Sequence, residues 1–304
     1  MVEHDTRRIM KIGLKSLAVT IPKKWAMQLG IDVGSLVDMF FDGNTISIEP
    51  RGKQELEPLQ LSVVAEGRKF KSAIRKLIAC YTEGITKVKV KCSYEEFTEL
   101  TSILSKAVPI TAFGRPESKY HEIVFLDIAA KPEDVIKKIT NIIKGLIESI
   151  YEATEEECGV GLVSQEVEKL FNLGLRLCKK HAVLSRGIET LDMLDMLLFL
   201  KLIRELFDVL SSNLGMFKCY KENNAVFKTL EYVNSALSSF TLSDIDRALK
   251  LLEIKPVSEE DEVPKELAQA IDKLIDIGSS IAEISISKCI RDKACACRYF
   301  YPEL

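Results

Sequence analysis

Hydrophobic and polar residues at the start of the chain alternate with a period of two. Leu17, Val19 and Ile21 are separated by small or polar residues, which is typical of a strand with one buried face. Pro22 suits the first turn of a helix, because it needs no N–H partner there. The segment KKWAMQL follows and stops at Gly30, a favourable left-handed C-cap. The pattern predicts a strand and then a short helix.

Two further strand-like segments, SLVDMFF and TISIE, flank Asp42-Gly43-Asn44. That tripeptide is typical of a tight hairpin turn. We therefore expect residues 1–52 to form a small β-rich domain. Residues 51–58 are polar and include a glycine and a proline, which indicates a linker.

Residues 58–129 alternate between strand-like and helix-like segments, in the order β-α-β-α-β-β. Ser93 and Glu96 have the spacing of a capping box at the start of the second helix. Two helices among four strands indicate a compact α/β layer structure. We expect the ferredoxin-like kind.

From residue 130 to about residue 291 the apolar residues recur with helical spacing. Pro132, followed by two acidic residues, favours a helix start. Ser243 and Asp246 resemble a further capping box. Five more helices are predicted near residues 164–183, 188–214, 223–239, 244–253 and 264–290. The six helices predict a bundle or two three-helix units.

The fold class is therefore a multidomain α+β protein. A length of 304 residues fits two or three domains, and 47% apolar residues argue against general disorder. We expect a β-barrel domain at 1–52, an α/β domain at 58–129, an all-α domain at 130–291 and a cysteine-rich and aromatic tail at 292–304.

Charge is distributed unevenly along the chain. The first 25 residues carry six Lys or Arg and two acids, which leaves a net charge of −7 for the rest of a chain of net charge −3. A basic N-terminus on an acidic remainder indicates that only the N-terminus meets a polyanion. The chain shows no signal peptide and no apolar run long enough to span a bilayer, so we expect a cytoplasmic protein without membrane insertion.

The N-terminal segment has a basic strand, a turn with Gly13, a strand ending in Thr20-Ile21-Pro22, two lysines and then Leu29-Gly30. It resembles the swapped-hairpin DNA-binding family named after AbrB and SpoVT, which also contains the MazE antitoxin. The resemblance covers about the first 50 residues and implies that two chains interlock into one small barrel. Physical reasoning also favours a dimer, because so short a domain buries little surface and leaves strand edges unpaired.

A two-fold dimer would place two basic faces against two half-sites of double-stranded DNA. We expect the contacts to come from cations and hydroxyls, since these pair with phosphates and base edges. The candidates are Arg7, Arg8, Lys11, Lys15, Ser16, Thr20, Lys23 and Lys24. The alternative is a charged face that only aids solubility. Trp25 fits a core or dimer interface better than base stacking.

The helical half carries Glu168, Phe171 and Arg176 in one segment, and Arg204 and Leu206 in another. Over residues 131–290 it resembles the PhoU family of phosphate-uptake regulators. The middle segment AIRKLIACYTEGITKVKV is similar to a segment of archaeal PhoU-like regulators. For that middle domain, binding of a ligand or partner and a purely structural role both stay open.

The family's metal-binding carboxylate pair is missing from the second segment. Phe207 and Ser211 stand at those places, and Asp208 and Ser212 at the neighbouring ones. Of the first segment's site only Glu168 remains, and a single carboxylate is more often an exposed charge than a metal ligand, so we assign no metal residues and no cofactor.

Cysteine and histidine offer two weaker candidates. Cys178 and His181 have helical spacing for a shared metal, but a packing histidine is the simpler interpretation. Cys289, Cys295 and Cys297 cluster near the C-terminus without the spacing of a zinc site, so a disulfide or chance crowding both stay open. No nucleophile with a base and no phosphate loop is present, which argues against an enzyme.

The sequence thus favours a homodimeric DNA-binding transcription regulator linked to phosphate uptake. A phosphate-transport or signalling protein is a further expected partner. Two alternatives remain. One is an adaptor that controls a transporter or kinase without binding DNA. The other is an antitoxin-like DNA-binding protein.

Overall fold

The computed structural model describes residues 4–13, 15–41, 46–51, 61–65, 69–152, 160–184, 188–254 and 263–300. The chain divides into two compact units. We call Met1–Pro58 the N-terminal unit and Leu59–Leu304 the C-terminal unit. The predicted turn at Asp42-Gly43-Asn44 and most of the predicted linker lie outside the described residues.

The N-terminal unit contains two separate antiparallel strand pairs and one helix. Its elements are β1 (Met10–Ile12), β2 (Ser16–Ala18), α1 (Lys23–Leu29), β3 (Val37–Phe41) and β4 (Ile46–Pro50). Gly30 ends α1 at φ 67°, as predicted. Pro22 lies one position earlier than expected, at the N-cap, where its carbonyl accepts from the Trp25 and Ala26 N–H groups at 2.9 and 3.0 Å.

The C-terminal unit begins with an α/β layer. Its elements are β5 (Leu61–Val64), α2 (Phe70–Thr82), β6 (Lys87–Lys91), α3 (Tyr94–Leu104), β7 (Ile110–Phe113) and β8 (Tyr120–Phe125). The predicted element order is confirmed. So is the capping box, in which the Ser93 hydroxyl accepts from the Glu96 N–H at 3.2 Å and the Glu96 carboxylate accepts from the Ser93 N–H at 3.0 Å.

The expected ferredoxin-like arrangement is wrong. The strand order is β5-β6-β8-β7, and β5 pairs directly and in parallel with β6. A ferredoxin-like sheet splits its parallel strands by inserting another strand between them. Here β8 lies between β6 and β7 and pairs antiparallel with both, so no strand separates β5 from β6.

Alternation along the strands gives the sheet one buried face. Val88 and Val90 of β6 and Ile123 of β8 are fully buried together with Leu77 of α2 and Leu100 of α3. Burial of such side chains stabilises the layer by about 1.5–3 kcal/mol each. The intervening lysines of β6 lie on the opposite face.

Helices form the rest of the C-terminal unit. They are α4 (Pro132–Tyr151), α5 (Val160–Leu184), α6 (Ile188–Ser212), α7 (Leu214–Cys219), α8 (Asn224–Thr241), α9 (Ile245–Glu253) and α10 (Lys265–Phe300). The predicted start at Pro132 is confirmed. Short α7 was not predicted as a separate helix, and α10 continues through most of the segment expected to be a tail.

The capping box predicted at Ser243 and Asp246 is wrong. Asp244 is the N-cap of α9, and its carboxylate accepts from the Arg247 N–H at 3.0 Å. Ser243 has φ 51° and belongs to the turn that ends α8, where the Asp244 N–H reaches the Ser239 carbonyl at 2.9 Å. The connection between α8 and α9 is so short that Ser243 belongs to the end of α8 and cannot cap α9.

One apolar core joins α4, α5, α6, α8 and α10. At its centre the rings of Phe199 and Phe240 stack with centroids 3.8 Å apart. The core requires close helix contacts at two glycines. A Cβ on Gly174 would lie 3.1 Å from Leu200, and one on Gly278 would lie 2.7 Å from the Tyr232 ring.

A buried arginine links this bundle to the α/β layer. Arg176 of α5 donates to the Tyr81 and Ile85 carbonyls at 2.6 and 3.1 Å, where α2 ends. Its guanidinium also lies 4.8 Å from the centre of the Tyr81 ring. Asn172, one helical turn earlier, donates to the Ala107 carbonyl at 3.1 Å. These polar bonds tie α5 to the end of α2 and to the Ala107 carbonyl that follows α3.

We predict opposite effects for two glycine substitutions in the bundle. Gly278→Ala should lower the free energy of unfolding by about 1–3 kcal/mol, because the buried Tyr232 ring is held by a 2.9 Å hydrogen bond to Ser279 and cannot move away. Gly145→Ala, on α4 with open space around the added methyl, should raise it by about 0.5–1 kcal/mol. Urea unfolding measures both. A stabilised Gly278→Ala variant would contradict this packing.

Candidate nucleic-acid interface

The predicted DNA-contacting residues lie on the first hairpin and on the start of α1. Gly13, at φ 69°, lies in the turn between β1 and β2. Lys11 pairs with Leu17, and Ile12 pairs with Ser16. A positive φ favours glycine here, since other residues adopt it only with strain.

All eight candidate side chains are exposed in the described structure, but they do not form one face. Lys11 on β1 and Ser16 on β2 point to opposite sides of the hairpin, because neighbouring positions on a strand alternate. Lys15 lies in the turn, and Arg8 and Thr20 lie beyond the strand ends. In the single chain the candidates therefore lie in one region but on both sides of the first hairpin.

The surroundings of three candidate cations, Arg7, Lys23 and Lys24, bear on whether they can contact DNA. Arg7 forms an ion pair with Asp5 at 2.5 Å, which reduces the positive charge it offers a phosphate. Lys23 and Lys24 occupy the first turn of α1, which has no acidic residue. A helix N-terminus disfavours cations, so helix stability does not explain these two lysines.

The N-terminal unit has no buried residue among those whose exposure the structure describes. Leu17 is 72% exposed, Phe41 72% and Val33 101%. The predicted buried face of the second strand, formed by Leu17, Val19 and Ile21, is therefore wrong for one chain. The reason is that each strand pair stands alone and has no second layer to cover it.

This exposure indicates that the unit requires a partner surface. Apolar residues occur on both sides of the first hairpin, with Leu17 beside Lys11 on one side and Ile12 on the other. Patches of this kind mark interaction sites on proteins. Trp25, expected at a core or dimer interface, is half-buried within the single chain.

On the helical side, residues from the two segments that resemble PhoU meet. Glu168 of α5 pairs with Arg204 of α6 at 2.5 Å. Arg204 also lies 3.4 Å from the Asp208 carboxylate and 5.1 Å from the centre of the Phe171 ring. Glu168 is thus neutralised by an arginine, which makes it a structural ion pair in this conformation.

The positions where a metal-binding pair would stand have other contacts. Phe207 is buried in the bundle core, and the Ser211 and Ser212 hydroxyls donate to the Asp208 carbonyl of their own helix. An open cleft of about 410 Å³ lies beside them, between α6 and the start of α10. It is lined by Asp208, Val209, Ser212, Asn213, Glu266, Gln269, Ala270 and Lys273. In the part of the chain that the structure describes, no three His, Cys, Asp or Glu side chains cluster as metal ligands would.

Cys178 and His181 do not form a pair. Cys178 is fully buried, and burial raises the pKa of its thiol to about 12. His181 is exposed near the end of α5, so the expected packing role for it is also wrong.

The described cysteines match the expectation of small apolar residues. Cys80, Cys92, Cys178 and Cys289 are buried thiols, and Cys219 is exposed. The side chains of Cys295 and Cys297 lie outside the described residues. None of the helices in the described ranges is long and apolar enough to cross a membrane.

Sequence reasoning missed two polar arrangements in the C-terminal unit. One is the contact of Arg176 with the end of α2, since a family pattern gave the residue but not its carbonyl partners. The other is the exposed side of the sheet around β6. The signal for it was the strict KVKVK alternation, which was used only to predict a strand.

We predict that the full-length chain is a dimer held by its N-terminal unit. Leu17→Asp should shift it to the monomer, because the charge would enter the apolar surface that the second copy covers. Leu242→Asp is the matched control, since Leu242 is 68% exposed in the C-terminal unit. Sedimentation velocity over a concentration series measures both. A monomeric parent chain, or a Leu17→Asp dimer as stable as the parent, would contradict the prediction.

Comparison with known proteins gives one match. Residues 11–55 match the family model described as antidote-toxin recognition MazE, bacterial antitoxin. No curated protein and no solved structure shows significant similarity to the chain. The matched segment contains β1, β2, α1, β3 and β4, and so covers the whole hairpin-helix-hairpin arrangement described above. The N-terminal unit thus carries a MazE-like domain, which indicates a DNA-binding or antitoxin-like role.

Proposed function

We propose that this chain is a homodimeric transcription regulator that binds double-stranded DNA through its N-terminal unit. The observation that carries the proposal is the combination of a MazE-like match with a basic first segment, residues 1–25, in a unit that has no buried residue among those whose exposure the structure describes. Two copies would cover each other's apolar residues. The exposed lysines and arginines of both would then be available to the duplex.

The electrostatics support phosphate contacts in particular. Lys11 and Lys15 are exposed on or beside the first hairpin, and an ammonium group acts as a compact positive charge against a phosphate. Each phosphate that a lysine neutralises releases counterions, which makes the affinity depend on salt. Sequence preference would come from arginine contacts to base edges, for which Arg8 is the better candidate because Arg7 is paired with Asp5.

The proposal includes a finer part, in which the helical bundle is PhoU-like and couples DNA binding to phosphate uptake. What supports it is the resemblance of the α5 and α6 segments and the ion pair that joins Glu168 to Arg204 between them. A ligand or partner of the bundle would act through a difference in its affinity for two arrangements of the dimer. Linkage is reciprocal, so phosphate should then change the affinity for DNA by the same factor as DNA changes the affinity for phosphate. No enzymatic step is part of the proposal.

A second candidate function is that of an antitoxin, and the description of the matching family favours it. In that case the chain would bind a toxin protein as well as DNA. Co-purification from the source cell followed by expression of the captured protein alone would test this. A captured protein that arrests growth, and whose effect this chain relieves, would favour the antitoxin over the phosphate regulator.

The DNA-binding proposal predicts a change in salt dependence. Lys11→Ala/Lys15→Ala should weaken duplex binding about tenfold and reduce the slope of log K against log salt by about 2 for each chain that contacts the duplex. Fluorescence anisotropy of a labelled duplex from 50 to 200 mM salt measures both quantities.

The matched control for this experiment is Lys106→Ala/Lys137→Ala, which removes two exposed lysines from the C-terminal unit. Its duplex affinity and slope should equal those of the parent chain. Equal slopes for the parent and the Lys11→Ala/Lys15→Ala variant would overturn the proposed contact. Repeating the titration with inorganic phosphate tests the coupling, and an unchanged affinity would remove the phosphate part alone.

A further inference from the structure

The sheet of the C-terminal unit has one face that the core does not use. Helices α2 and α3 cover the inner face, while the other face is in contact with solvent. We call this the outer sheet face. It is formed by Val64 of β5, Lys87, Lys89 and Lys91 of β6, Thr111 and Phe113 of β7, and Tyr120, Glu122 and Val124 of β8.

Two aromatic rings lie on this face at positions where packing does not require them. Phe113 is 55% exposed and Tyr120 is 59% exposed. Phe113 pairs with Glu122, two residues from Tyr120 on the same face. This diagonal relation places the two Cα atoms about 7–8 Å apart. Two exposed rings this near to each other form a platform on which flat groups can stack.

The lysines on the adjacent central strand give the platform a positive charge. Lys89 pairs across the sheet with Glu122, and Lys91 pairs with Tyr120. Three lysines and one glutamate give the outer sheet face a net charge of +2, and Glu122 forms its ion pair with Lys87 at 2.8 Å. Successive lysines on one strand face are about 6.7 Å apart. That spacing is comparable with the spacing of phosphates along an extended single strand.

We propose that the outer sheet face binds single-stranded nucleic acid. Bases stack on Phe113 and Tyr120, and the lysines of β6 contact the phosphates beside them. A duplex offers the two rings no open base face, because its bases are already paired and stacked on one another. Aromatic platforms with flanking cations bind single strands with little sequence preference. The inference goes beyond the proposed function, which uses cations of the N-terminal unit and a duplex.

The test uses the full-length chain carrying Lys11→Ala/Lys15→Ala, so that the N-terminal unit contributes little. The probe is a fluorescein-labelled oligo(dT) of 15 nucleotides, and binding is followed by anisotropy. Phe113→Ala and Tyr120→Ala should each weaken binding about fivefold or more, since stacking of a base on one aromatic ring accounts for at least that factor. Lys89→Ala should reduce the salt slope by about 0.7.

Two controls separate stacking from folding and from general surface effects. Tyr120→Phe keeps the ring and should bind as tightly as its parent. Phe227→Ala removes an aromatic ring that is 44% exposed on α8, away from the sheet, and should also leave binding unchanged. Thermal unfolding of each variant by circular dichroism shows whether the sheet is intact. Lys89→Glu, which changes no aromatic packing, provides an independent charge-based readout and should weaken binding more than Lys89→Ala.

Photocrosslinking locates the strand directly. An oligonucleotide with 4-thiothymidine should crosslink to peptides that contain Phe113 or Tyr120. Crosslinks confined to residues 4–51, or equal oligo(dT) affinity of the Phe113→Ala, Tyr120→Ala and Lys89→Glu variants and their parent, would overturn the inference. Loss of the dimer in the aromatic variants would overturn it too, in favour of a second copy on this face. Duplex binding by the unaltered chain is measured in parallel, so failure of the proposed function is seen separately.

Discussion

The constraint on which the rest depends is that the N-terminal unit cannot bury its own apolar side chains. Its two strand pairs have no buried residue among those whose exposure the structure describes, and Leu17 and Phe41 are each 72% exposed. Isolated two-stranded pairs are marginal in water, because little apolar area is removed on folding. A second surface must therefore supply the missing layer. In the proposed dimer that association would also position the cations on the same short strands, so self-association and DNA binding would depend on one arrangement.

The C-terminal unit differs from the N-terminal unit because it buries its own apolar side chains, in two cores that polar contacts connect. The α/β core and the bundle core share no buried cluster. Arg176 connects them by donating to the carbonyls at the end of α2, and its buried charge is balanced only at one edge by Asp127, whose carboxylate lies 3.7 Å away. These bonds fix the contact, because displacing α5 would leave a buried guanidinium without its carbonyl acceptors. Arg176 thus limits movement between the α/β layer and the bundle at α5.

How much the sequence predicted depended on whether the signal was local. The Ser93 capping box, the Pro132 helix start and the Gly30 C-cap involve neighbours in the chain, and all three were found. The direct pairing of β5 with β6 depends on which side a crossover returns to, and no residue in either strand encodes that. Ser243 matches the cap pattern, yet it lies in the turn that ends α8, and Asp244 caps α9 instead. The predictions of a packed His181 and of a buried strand face were wrong because burial depends on which surfaces meet, including those of a second chain.

For the site, the eight candidate residues were found to be exposed, while their division between two sides of the hairpin follows from the pairing of Lys11 with Leu17.

Two chemically different surfaces for nucleic acid follow from these two units. In the proposed complexes the N-terminal lysines would act through charge, so their contribution would fall steeply with salt and would not distinguish bases. The rings of Phe113 and Tyr120 act through stacking, which persists at higher salt but requires bases that are not paired. A regulator that carries both would bind a duplex next to a short unpaired segment more tightly than either part alone, because the second contact forms at the high effective concentration created by the first. The advantage depends on whether the linker between the units can span the two sites, and that geometry, more than the affinity of either surface, would decide which DNA the protein selects.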